Sequence, residues 1–191
     1  MKKLLSILTM LVLSISMYAQ REVTKFLGIP VDGTKSEMIR KLKAKGFEEI
    51  PGSDGTLTGE FNGSEVLLGV QTNNNKVWRI VLMDAYVVDE AKIKVRFNRL
   101  CQQFSNNPKY VVAGDADYSL SEDFKISYEI DVHHKQIEAS FFQKASMIED
   151  DVDLVKRCVW FLISKEESNY GKYRIFMFYE NRDNAANGED L

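Results

Sequence analysis

Histidine, cysteine and proline are scarce in this chain: 191 residues carry two of the first, two of the second and three of the third. So little histidine argues against Ser or Cys hydrolases, whose nucleophile needs a neighbouring base. His133 and His134 are adjacent in what reads as a hairpin turn, and neighbours on an extended chain point to opposite faces. No Gly-x-Ser-x-Gly elbow occurs, and neither cysteine has a histidine near it in sequence. Phosphate-binding loops of the Gly-x-x-x-x-Gly-Lys and Gly-x-Gly-x-x-Gly kinds are also missing, so no nucleotide cofactor is expected. Two vicinal histidines and two distant cysteines do not match zinc spacings. Asp115-Ala116-Asp117-Tyr118-Ser119 opens like a calcium loop. Leu120 then stands where that loop needs Gly, and Ile126 where it needs a bidentate Glu. Glu149-Asp150-Asp151-Val152-Asp153 reads as a solvated charge run. No metal is expected.

Basic charge is in short supply as well. Lys plus Arg is 25 against 28 for Asp plus Glu, a formal net charge of −3. Nucleic acid is therefore not the expected partner, because phosphate binding needs clustered Lys and Arg. Lys41, Lys43 and Lys45 sit beside Glu37 and Glu48 and read as a solvated helix face.

The longest apolar stretch, Leu4 to Met17, is too short for a comfortable bilayer span. It follows Met1-Lys2-Lys3 and precedes Tyr18-Ala19-Gln20, the pattern of a secretory signal peptide over residues 1–19 with cleavage after Ala19. No cysteine lies near that point, so no lipid anchor is expected. An exported chain permits a disulfide between Cys101 and Cys158. Both also fall on apolar stripes, where free cysteines are commonly buried, and the residues leave the two readings open.

Hydrophobic residues are 45 % and aromatics 11 %, a globular composition. Val23 to Leu27 reads as a leading strand or arm. Thr34-Lys35-Ser36-Glu37 is a capping box, Met38, Ile39 and Leu42 the stripe behind it, and Gly46-Phe47 the stop. Asn62-Gly63 joins two extended runs as a hairpin, and Asn73-Asn74-Asn75 turns into Val77 to Met83. The pattern restarts at Asp89, with Ile93, Phe97, Leu100, Cys101 and Phe104 at helical spacing. Strands are predicted at Tyr110 to Val112, Phe124 to Ile130, Ile137 to Phe142, Arg157 to Ile163 and Tyr173 to Tyr179. Residues 145–155 read as a loop or short acidic helix, and 181–191 as a frayed polar tail. The fold class is α+β: an antiparallel sheet with helices on one face, in a domain over 20–180. Two helix-plus-strands units, 20–86 and 87–180, suggest a diverged duplication.

The last two strands are apolar on both faces. Taking Arg79, Arg157 and Arg174 as markers of the outer face turns Trp78, Ile80 and Leu82 inward. The same markers put Phe161, Phe176 and Phe178 outside. Arg79, Phe161, Arg174, Phe176 and Phe178 then form a candidate partner-binding patch of the residue types that concentrate binding energy.

Two resemblances follow. Ala19-Gln20, then Phe26-Leu27-Gly28-Ile29-Pro30-Val31-Asp32-Gly33-Thr34 running into Leu42-Lys43-Ala44-Lys45-Gly46-Phe47, resembles secreted proteins of anaerobic Gram-negative gut bacteria, which implies export and lends no activity. The helix-then-strands unit resembles the fold of the β-lactamase inhibitor protein and of BamE-type assembly lipoproteins. The expected function is an exported, non-catalytic module binding a protein or envelope component in the periplasm or outside the cell. A carboxylate-dependent hydrolase acting on a carbohydrate or peptide and a carrier of a small apolar ligand are the alternatives.

Overall fold

The computed structural model describes residues 22–114, 117–145, 153–168 and 170–186. Its first helix, α1 (Lys35–Lys43), starts where the local code puts it. The Thr34 hydroxyl accepts the Glu37 N–H at 3.3 Å, and the Glu37 carboxylate accepts the Thr34 N–H at 3.3 Å. The chain leaves through Gly46 at φ 96°. Gly46 N–H donates to Lys43 O at 3.0 Å and Phe47 N–H to Leu42 O at 3.3 Å, the two bonds of a Schellman stop. Ahead of α1, the expected leading strand is a small hairpin, β1 (Lys25–Phe26) with β2 (Ile29–Pro30). Leu27 and Gly28 turn it at φ 49° and 79°.

After α1 come β3 (Glu48–Glu49), β4 (Leu57–Phe61), β5 (Ser64–Asn73) and β6 (Lys76–Asp84). Asn62-Gly63 and Asn74-Asn75 all take positive φ, as two-residue hairpin turns require. Helix α2 (Glu90–Ser105) is capped by Asp89, whose carboxylate accepts the Lys92 N–H at 2.9 Å. Then follow β7 (Tyr110–Val112), α3 (Ile126–Asp131), β8 (Ile137–Gln143), β9 (Arg157–Lys165) and β10 (Tyr173–Asn181). Strands β3 to β10 form one antiparallel sheet in the order β3-β4-β5-β6-β10-β9-β8-β7. The final strands of the two runs pair with each other, so β6 and β10 lie at the centre.

The architecture is α+β, mostly sheet. Met38 and Leu42 of α1 and Ile93, Phe97, Leu100, Cys101 and Phe104 of α2 join one core with Leu68, Ile80, Val159, Ile175 and Tyr179 from the sheet. Each large side chain buried this way contributes about 1.5–3 kcal/mol. Asp84 clamps α2 to the sheet. It accepts Arg96 Nε at 2.6 Å, Arg96 Nη2 at 2.5 Å and the Ile175 N–H at 3.3 Å. No helix among the described residues is long and apolar enough to cross a membrane.

Three expectations are corrected. Phe124 to Ile130 is not a strand, because the Glu90 carboxylate accepts the Ile126 N–H at 2.7 Å and the Ser127 N–H at 3.4 Å, starting α3 there. Ile126 and Ile130 are then four apart on a helix and face the core, and His133-His134 lies in a helix-to-strand turn instead of a hairpin. The tail from Asn181 does not fray as far as residue 186. Asn181 is buried and donates to Val31 O at 3.0 Å. Asn184 donates to Asp32 at 2.8 Å and to Val77 O at 2.9 Å. Both cysteines are free and buried. The signal segment, residues 115–116 of the calcium-like loop, Glu149 to Val152, and 187–191 lie outside the described residues.

Candidate functional site

Strand pairing decides which side chains share the face opposite the helices. Phe176 pairs with Met83 on β6 and Leu162 on β9, and Phe178 with Val81 and Trp160. On β5, Leu67 opposes Met83. All of these are partly exposed and lie outside the buried core. They form an apolar band across the central strands.

Within the band the aromatic rings pack on one another. Trp160 and Phe178 stack with centroids 4.1 Å apart at 17°, and Phe176 lies 6.5 Å from Phe178 at 16°. Arg79 approaches from the other flank of β10, its guanidinium carbon 5.2 Å from the Phe178 centroid and 4.0 Å from Trp78. Phe178 is therefore held between an indole and a guanidinium, a cation–π arrangement that fixes both neighbours.

Each arginine at this site has a carboxylate beside it. Glu180, almost buried, accepts Arg79 Nη2 at 2.5 Å, the Trp160 indole N–H at 2.8 Å and Arg182 Nε at 3.3 Å. Arg174 pairs with Glu166 and reaches Met83 Sδ at 3.5 Å. The Ser168 hydroxyl first, then Arg174, hold the Glu166 carboxyl below the ordinary carboxylate range. The band is apolar, and its arginines are engaged by Glu180 and Glu166.

Of the candidate patch, Arg79, Arg174, Phe176 and Phe178 share this face. Phe161 does not. It is fully buried on the helix side, edge-on to Phe97 at 5.2 Å and stacked on Phe141 at 6.0 Å. The error came from Arg157, which does not mark an outer face. Arg157 is itself buried, its Nε donating to Gln143 O at 2.8 Å and its Nη1 to Glu22 O at 3.3 Å. Trp160 and Leu162 take the outer positions instead. Trp78 is also displaced from its expected inward position. Gln71 pairs with Arg79 and Thr72 with Val77, so Trp78 is the extra residue of a bulge, partly exposed beside Arg79. Nothing local in the sequence announces that bulge or the Glu180 hub, because both depend on partners from other strands.

Acid–base chemistry finds little to work with here. Among the described residues the two buried carboxylates, Asp84 and Glu180, are each engaged by arginine. Among the described residues no group of three or more His, Cys, Asp or Glu side chains could hold a metal ion. Comparison of the chain with protein-family models, with curated proteins and with solved structures finds no match.

Proposed function

We propose that this is an exported, non-catalytic binding module that engages a protein through the face of its sheet opposite the two long helices. One observation carries the reading: the Trp160–Phe178–Phe176 stack with Arg79 stays partly exposed on a face that neither long helix covers. Aromatic residues and arginine are the types enriched where interfaces concentrate their energy. Phe178 has a neighbouring group on each flank, so a sugar ring has no open platform there. With Arg79 and Arg174 engaged by Glu180 and Glu166, an apolar partner surface suits this face. Export is supported by Lys2-Lys3, the apolar run to Met17 and Ala19, and puts the module in the periplasm or outside the cell. The mirrored strand order, two four-strand runs meeting at β6 and β10, supports reading the halves as diverged modules.

A photo-crosslinking side chain placed at Phe176 tests the binding face in native envelope extract. The reading expects one discrete protein adduct, absent from the same probe at Tyr128 on α3 and lost with Trp160→Ser. Equal labelling from both positions would overturn it.

A further inference from the structure

Charges on the outer face of the sheet are disposed evenly about its middle row. In that row Gly69 on β5 pairs with Val81 on β6, Val81 with Phe178 on β10, and Phe178 with Trp160 on β9. Glu65 stands four residues before Gly69, and Asn73, which pairs with Lys76, four residues after it. Val66 and Val77 are buried in the core, so alternation turns Glu65 and Lys76 outward. Glu60 on β4 lies directly opposite Glu65, and like charges so placed repel. All three charges are exposed, and none has an ion-pair partner among the described residues. Glu65 accepts only the Tyr86 hydroxyl, at 3.2 Å. One end of the β5–β6 pair is thus acidic, and the other, at equal distance from the middle row, is basic.

Gly69 is the second clue. Its φ is not positive, and a Cβ added there would meet nothing within 4 Å. Neither the backbone nor packing within the chain requires glycine, which weakens a strand interior and often marks where another backbone approaches closely.

We infer that this face binds a second copy of the chain, through a two-fold axis lying along the Gly69–Val81–Phe178–Trp160 row. This rests on the sheet-face reading and names its partner. Rotation about that row lays each strand antiparallel over its own copy and the aromatic band against itself, the aligned face-to-face packing of two sheets. Gly69 then faces Gly69 of the partner subunit, which lets the backbones close up. The ends of β5 exchange, so Asn73 faces Glu65 of the partner subunit. Lys76 stands one strand to the side, roughly 4.8 Å away, within reach of that carboxylate. Two-fold symmetry makes the contact twice. Arg79, Arg174 and Arg182 keep carboxylates of their own chain. Each chain also keeps its own core, so the dimer opens on dilution to folded monomers.

Sedimentation velocity over a concentration series tests the inference. The parent protein should pass from monomer to dimer as concentration rises. Lys76→Glu and Glu65→Lys should each weaken the dimer at least tenfold, because each sets like charges together twice. An equimolar mixture of the two variants should recover the parent's association, since the mixed pair has opposite charges at both contacts. Gly69→Val should keep the parent's melting temperature in dilute protein yet weaken the dimer at least tenfold, by overfilling the close approach. A monomer at every concentration, a dimer indifferent to these substitutions, or a mixture no better than its components would each overturn the inference. A monomer whose Phe176 probe still gives one adduct with a different protein overturns it and leaves the sheet-face reading standing. Loss of that adduct as well removes both.

Discussion

Trp160 on β9 donates its indole N–H to Glu180 on β10 at 2.8 Å, and the same carboxylate oxygen accepts Arg79 Nη2 from β6 at 2.5 Å. One acid thus fastens three adjacent strands on the face opposite the two long helices. Glu180→Ala leaves an indole donor and two guanidinium groups without it, and should cost about 1–3 kcal/mol. Glu180→Gln keeps an acceptor for Trp160 and should cost less. Urea unfolding of the two variants checks the order; an unchanged midpoint for Glu180→Ala would show that the hub holds nothing.

Phe161 and Phe176 are both phenylalanines of central strands, yet they face opposite ways. Phe161→Ser should cost about 3–5 kcal/mol, as deletions of buried rings do. Phe176→Ser should cost less than about 1 kcal/mol, because its ring lies on the partly exposed face. Equal losses in chemical denaturation would mean that the aromatic band is covered in solution.

That contrast shows what the sequence made legible. The α1 boundaries, the Asn62-Gly63 hairpin and the α2 stripe were readable because each is written within a few residues of itself. Arg79, Arg174, Phe176 and Phe178 were readable because simple alternation held along β10 and at Arg79. Phe161 was misassigned because the burial of Arg157 depends on carbonyls of Gln143 and Glu22, far away in the chain. Helix α3 was misread for the same kind of reason: period-two alternation from Phe124 to Ile130 concealed a helix whose starting acceptor is Glu90, 36 residues upstream.

Glu90 supplies the acceptor that Lys125, the residue preceding α3, does not. Glu90→Ala should free the Ile126 and Ser127 amides and destabilise α3 by about 0.5–2 kcal/mol, the usual worth of an N-cap. Hydrogen exchange at those two amides should accelerate while the amides of β9 and β10 keep their protection. Unchanged exchange at Ile126 would remove Glu90 from that role.

Acid should loosen both long helices at their starts. Thr34 holds the Glu37 carboxyl below its ordinary value of 4.5, and the Lys92 N–H holds Asp89 below its ordinary 3.8. A depressed carboxyl stabilises the fold above its unfolded value, and that contribution is lost as pH falls through the folded one. Stability should therefore decline below about pH 4.5 as Glu37 and Asp89 take up protons. Glu37→Gln with Asp89→Asn should flatten that part of a melting-temperature profile. A double variant with the parent's slope below pH 4.5 would assign the acid sensitivity elsewhere.

The cysteines supply a last test, because the sequence left bonded and free states open. Cys101 lies on the buried stripe of α2 and Cys158 on β9, both unbonded. Burial pushes the Cys101 thiol up to about 12 and the Cys158 thiol to about 11. At pH 8 only roughly one part in a thousand of the more acidic thiol is then ionised, and the thiolate is the reactive form. The folded protein should resist a thiol-specific disulfide reagent at pH 8, reacting only as fast as it opens. In urea both thiols should react at once, without prior reduction. A denatured chain that shows no free thiol until a reductant is added would establish the disulfide instead, and with it a rearrangement that draws α2 and β9 together.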